Sequence, residues 1–166
     1  MAVTGIEKDF DALTLRLTAE FAAPIEAVWQ LWADPRKLER WWGPPTWPAT
    51  FVDHDLSTGG RATYYMTGPD GTRSAGWWEV ESVDPPTSLA FRDGFADTEG
   101  KPVDTLPHTR SEMRLRTDGS TTVMTLVSHF ASQDAMETML AMGLEEGIGL
   151  SVGQMDAVLD RTTISR

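Results

Sequence analysis

From Met136 to Leu159 a single line can be drawn along a helix through Met136, Met139, Leu140, Gly143, Leu144, Gly147, Ile148, Ser151, Val152, Met155 and Leu159. Their spacing of three and four residues is that of one amphipathic element. Ser132 stands at the N-cap position, and the pattern predicts one long helix from there to about Asp160. A helix with one apolar side is stable only when something covers that side. The residues before it say what is available.

Leu13, Leu15, Leu17, Ala19 and Phe21 alternate with Thr14, Arg16, Thr18 and Glu20, the period of a half-buried strand. Pro24 and Glu26 mark the start of a short helix whose apolar face is Ile25, Val28, Trp29 and Trp32. Asp34-Pro35 ends it, and Asp34 can cap a second short helix from Arg36 to about Arg40. Trp41-Trp42-Gly43-Pro44-Pro45-Thr46-Trp47-Pro48 is irregular. A meander follows, with strands expected at Ala49–Asp55, Arg61–Thr67, Thr72–Val83, Ser88–Phe95, Thr109–Arg116 and Ser120–Phe130. Gly59-Gly60, Pro69-Asp70-Gly71, Asp84-Pro85-Pro86 and Asp118-Gly119 supply the turns. Residues 1–10 read as an N-terminal tail and residues 11–162 as a single domain. The fold class is therefore α+β: a curved antiparallel sheet of about six or seven strands, two short helices, and one long C-terminal helix over the sheet.

Composition narrows the function. A net charge of −11 disfavours nucleic-acid binding and docking on an anionic membrane. With no cysteine, thiolate chemistry and disulfides are excluded, and a cytoplasmic location is expected. Met1 to Phe10 lacks the charged start and apolar run of a signal peptide, and no apolar run is long enough to insert in a membrane. There is no Gly-x-Ser-x-Gly elbow and no phosphate-binding glycine loop, so neither a catalytic residue nor a cofactor is assigned. The three histidines lie on separate elements, and no metal site is expected.

The element order, together with Ala23-Pro24-x-x-x-Val28-Trp29-x-x-Trp32, Asp34-Pro35 and Arg40-Trp41-Trp42-Gly43-Pro44, resembles the family related to the C-terminal domain of the Hsp90 ATPase activator, within the START/Bet v 1-like (SRPBCC) superfamily. Gly59-Gly60, Pro69-Asp70-Gly71 and Gly76-x-x-x-x-Glu81 before Asp84-Pro85-Pro86 fit it as well. The resemblance runs from about Leu13 to Leu159. It implies a helix-grip fold with a cavity between sheet and helix. Superfamily members bind lipids, hormones and polyketides, and some catalyse cyclisation or dehydration.

Trp32, Trp41, Trp42, Trp47, Tyr64, Met66, Trp78, Phe91, Phe95, Met113 and Met139 are the candidate ligand-binding residues among the aromatics and methionines. They are core by spacing, and pocket wall if the core is hollow. Trp41, Trp42 and Trp47, in the irregular segment, are placed at the pocket mouth or on a partner surface. Gly143 and Gly147 lie on the inward helix stripe and would make room for a ligand; His129, at the end of the last strand, is the candidate polar group. Gly149 and Gly153 lie on another face and, with Leu150, make a homodimer reasonable. Asp53-His54-Asp55 reads as a solvated strand end, because His54 points away from both neighbours. His108 is expected to be exposed. Asp93 alternates in phase with Leu89, Phe91 and Phe95, so it faces inward unless a bulge turns it out. Binding or carriage of a small hydrophobic ligand is the leading function. The alternatives are a cyclase or dehydratase acting on a polyketide-like substrate, for which His129 and Asp93 are the candidate polar groups, and a chaperone-linked interaction module using the Trp-rich loop.

Overall fold

In the computed structural model, which describes residues 2–164, the first alternating segment is strand β2 (Thr14–Phe21), with Leu15, Leu17, Ala19 and Phe21 buried and Arg16 and Glu20 exposed. It is preceded by β1 (Val3–Asp9) and followed by helices α1 (Ile25–Ala33) and α2 (Pro35–Leu38). The meander comprises β3 (Ala49–His54), β4 (Arg61–Thr67), β5 (Arg73–Asp84), β6 (Ser88–Ala96), β7 (Thr109–Asp118) and β8 (Thr121–Phe130). The described residues form an eight-stranded sheet in the order β1-β2-β8-β7-β6-β5-β4-β3, every pairing antiparallel.

Two expectations are corrected. Val3–Asp9, read as a tail, is an edge strand paired to β2, with Ile6 opposite Leu17; Met1 lies outside the described residues. Only Val3 and Ile6 are partly buried in β1, while Thr4, Glu7, Lys8 and Asp9 face solvent, so it carries no clear alternation. A charged, mostly polar edge blocks further strand addition. The strand count is thus eight, against about six or seven.

The long C-terminal helix is also divided, into α3 (Gln133–Ala141), α4 (Leu144–Gly153) and α5 (Met155–Ile164). Ser132 caps α3 as expected, its hydroxyl accepting from the Ala135 N–H at 3.0 Å. Asp34 likewise caps α2 through the Arg36 N–H. The break after α3 is at Gly143, whose φ of 88° is left-handed, a conformation that glycine adopts without the steric penalty of a Cβ. Between α4 and α5, the Gln154 side chain donates to the carbonyls of Gly43 (2.7 Å) and Trp41 (3.3 Å), tying the helices to the irregular segment. Of the residues read as a second face, Gly149 packs on β1, where a Cβ would lie 3.4 Å from Ile6, while Leu150 and Gly153 are exposed.

The core is aromatic. Trp32 meets Trp41 edge-on with centroids 4.7 Å apart, Trp42 meets Trp78 at 4.9 Å, and Trp78 stacks on Phe91 at 4.2 Å. Trp32, Trp41, Trp78 and Phe91 are fully buried. Such pairs add about 0.5–1.5 kcal/mol each beyond area burial. The cluster fixes α1 and the irregular segment on the sheet and leaves the region under α3 and α4 unfilled. Among the described residues no helix is long and apolar enough to cross a membrane.

Candidate ligand-binding cavity

A cavity of about 420 Å³ lies between the inner sheet face and the α3–α4 segment. Strand parity supplies one wall: Tyr64 and Met66 from β4, Phe91, Asp93 and Phe95 from β6, Thr109 and Ser111 from β7, Leu126 and Ser128 from β8. The helices supply the other wall through Met139, Met142, Gly143, Leu144, Gly147, Ile148 and Ser151. Trp41, Trp42, Pro44 and Trp47 close one end, and Met142, 54% exposed, stands at the rim. The volume falls in the range that holds drug-sized ligands, roughly 300–1,000 Å³.

Ten of the fourteen candidate residues line this space: Trp41, Trp42, Trp47, Tyr64, Met66, Phe91, Phe95, Met139, Gly143 and Gly147. Trp32, Trp78 and Met113 do not; they are fully buried core. His129 does not either. Ser128 faces the cavity, so its neighbour in the strand points to the other face, where His129 Nε2 lies 3.9 Å from Glu112. Trp41 is not on an outer surface: its Nε1 donates to the Leu31 carbonyl at 2.8 Å and the ring is buried. Trp47 is partly exposed and lies over Gly68, where a Cβ would come within 2.7 Å of its ring.

Two further histidines depart from expectation. His54 turns inward from the solvated strand end, its ring against Phe51 and Trp78 and its Nε2 3.1 Å from the Trp32 carbonyl. Burial holds its pKa below the usual value, opposed by that carbonyl. His108 is packed edge-on against Trp77 at 5.1 Å.

The polar part of the cavity centres on Asp93. It faces inward between Phe91 and Phe95, and its Oδ1 is buried with no hydrogen-bond partner. Desolvation raises its pKa from 3.8 to about 7, opposed in part by its own backbone N–H. Asp93 is half-buried, and part of its surface borders the cavity. Burial also raises the Tyr64 phenol; the Asp93 charge adds to this, and the nearby Trp42 indole opposes it. Tyr64 and Asp93 are the only ionisable side chains lining the cavity among the described residues; no lysine, arginine or histidine does. No three metal-ligating side chains cluster anywhere in the described residues. Sequence reasoning left Asp93 out of the ligand-binding set and named it, beside His129, only for the enzyme reading, although its phase with Phe91 and Phe95 pointed inward. Ser111 and Ser128 were missed too, although each shares parity with a buried neighbour, Met113 or Leu126.

The model of the family described as activator of Hsp90 ATPase homolog 1-like protein matches residues 22–160. The chain belongs to this family. A solution structure of a protein from Arthrobacter aurescens is 49% identical, with a TM-score of 0.92 over 96% of this chain and 92% of that one. The crystal structure of Ms6760 from Mycobacterium smegmatis is also 49% identical, with a TM-score of 0.88 over 95% and 96% of the two chains. DynU16, a protein of the dynemicin biosynthetic locus, shares the fold at 20% identity, with a TM-score of 0.64 over 89% of this chain and 47% of its own. No curated protein matches. Trp41-Trp42-Gly43-Pro44, the element that carried the family resemblance, is explained by packing. A Cβ at Gly43 would fall 1.9 Å from the Trp47 carbonyl oxygen, so only glycine lets the loop fold back and seat both tryptophans inward.

Proposed function

We propose that this family member binds and carries a small, largely apolar molecule in the cavity under α3 and α4. The observation that carries this is the cavity itself, about 420 Å³ walled by aromatic, methionine and leucine side chains. Native mass spectrometry of the protein purified from its own host tests it. The expected result is a small-molecule adduct that is released on denaturation and recovered by extraction. Bare protein in repeated preparations, together with no uptake of apolar probes, would overturn the reading.

A second reading is favoured by one residue. Asp93 has a pKa near 7 and borders the space a ligand would fill, which suits it to exchange a proton with that ligand. This supports acid–base catalysis of the cyclase or dehydratase type. The interaction-module reading needs exposed tryptophans, and Trp41 and Trp42 turn inward.

A further inference from the structure

We infer that the ligand is a neutral molecule with a flat apolar body and one carbonyl oxygen, that this oxygen is held by Tyr64 and Asp93, and that carboxylates are rejected. The inference rests on the cavity reading above and names the class of molecule it admits.

The placement of the two groups comes from the sheet register. A Cβ at Gly76 would lie 2.4 Å from the Tyr64 hydroxyl, so the phenol crosses β5 at the one position with no side chain. Gly76 pairs with Phe95, and Asp93 is the next inward residue along β6. The hydroxyl and the carboxyl therefore stand at neighbouring inward sites. Both present hydrogens. The Tyr64 phenol stays protonated throughout the neutral range. Asp93 receives only its own backbone N–H, and no cation lines the cavity, so its surroundings suit the neutral acid, which donates. Two donors at neighbouring positions on an apolar wall fit one acceptor oxygen, as a tyrosine and a protonated aspartate hold a carbonyl in ketosteroid isomerase. A carboxylate would place a buried negative charge where no lysine, arginine or histidine lines the cavity to compensate it. The faces of Trp42, Phe91 and Phe95 suit a flat body.

Quenching of tryptophan fluorescence by four naphthalenes of similar shape separates the possibilities: acetylnaphthalene (carbonyl), ethylnaphthalene (no oxygen), naphthoate (anion) and naphthylmethylamine (cation). Below pH about 6, acetylnaphthalene should bind about tenfold tighter than ethylnaphthalene, and naphthoate at least tenfold weaker than both. The carbonyl's advantage should shrink as pH rises through about 7, because ionised Asp93 no longer donates. In Asp93→Asn that pH dependence should vanish; in Tyr64→Phe the advantage should fall at every pH. Equal affinity for the acetyl and ethyl compounds would overturn the oxygen anchor while leaving the cavity reading intact. Tightest binding of the amine would overturn it in favour of a cation site. Failure of all four probes would overturn the cavity reading itself.

Discussion

Replacing Asp93 by asparagine isolates the energetic consequence of placing a carboxyl in an apolar cavity. In the unfolded chain the group ionises at its ordinary value of 3.8; in the folded chain it ionises at about 7. The folded state therefore holds a proton that the unfolded state has released, so stability falls as pH rises between those values and levels off above the higher one. At about 1.4 kcal/mol per pH unit the full penalty is about 4 kcal/mol, a large part of a typical 5–15 kcal/mol stability. More than half of it develops between pH 5 and pH 8.5 by the same relation. The carboxamide of the Asp93→Asn variant cannot ionise and keeps nearly the same shape. The other carboxylates titrate alike in both proteins, so the difference between the two stability curves reports Asp93 alone. Urea denaturation at intervals across that range is the assay. The variant should gain on the wild type steadily up to about pH 7 and then hold its lead. Parallel curves would refute the reasoning, because they would mean that water reaches the carboxyl and its pKa is ordinary.

Four other substitutions test the packing around the cavity. Gly76→Ala places a methyl 2.4 Å from the Tyr64 hydroxyl and should destabilise by about 1–3 kcal/mol in urea melts; an unchanged midpoint would mean that the phenol lies elsewhere. Trp41→Phe removes the donor to the Leu31 carbonyl and buried ring volume, and should cost about 2–4 kcal/mol, whereas Trp47→Phe at the partly exposed site should cost less than about 1. The reverse ranking would place Trp41 outside. Gly147→Leu meets no atom within 4 Å at its Cβ, so stability should hold or rise by up to about 1 kcal/mol through helix propensity while affinity for apolar probes drops at least tenfold. Unchanged affinity would remove α4 from the site.

Most of the sheet was legible because one face is buried and the other is wet. Arg61–Thr67 was read to the residue, and the remaining meander strands to within one or two. The family was legible from Trp41-Trp42-Gly43-Pro44 and the element order. What escaped depended on contacts rather than on period. The strand β1 has too few buried residues to alternate, and its place is fixed by pairing to β2. Placing His129 in the cavity treated proximity to the long helix as facing it. The parity of β8, set by buried Leu126 and Ser128, puts the histidine on the far side. Trp41 was assigned to the mouth because its segment is irregular, yet irregular backbone can be as tightly packed as a helix when a glycine lets the chain fold back, as Gly43 does.

The glycines of the C-terminal segment separate by what each would cost in a helix and by what a side chain there would meet. Four glycines inside one helix would forfeit about 4 kcal/mol relative to alanine. Gly143 leaves that sum, because it ends α3 in a left-handed conformation that costs an L-residue about 1–2 kcal/mol and glycine very little. Gly149 leaves it in part, because a Cβ there would touch Ile6 and α4 can settle closely on β1. Nothing in the structure explains Gly153, which is exposed. Gly147 differs from all three: it is helical, no neighbour requires its small size, and it borders the cavity. Any larger apolar residue there would improve the helix and occupy the empty space. Glycine at position 147 costs about 1 kcal/mol in helix propensity and leaves the wall of α4 hollow, which fits the proposed ligand cavity. A chain that only needed a stable core would gain from filling that position, whereas one that must admit a ligand would not.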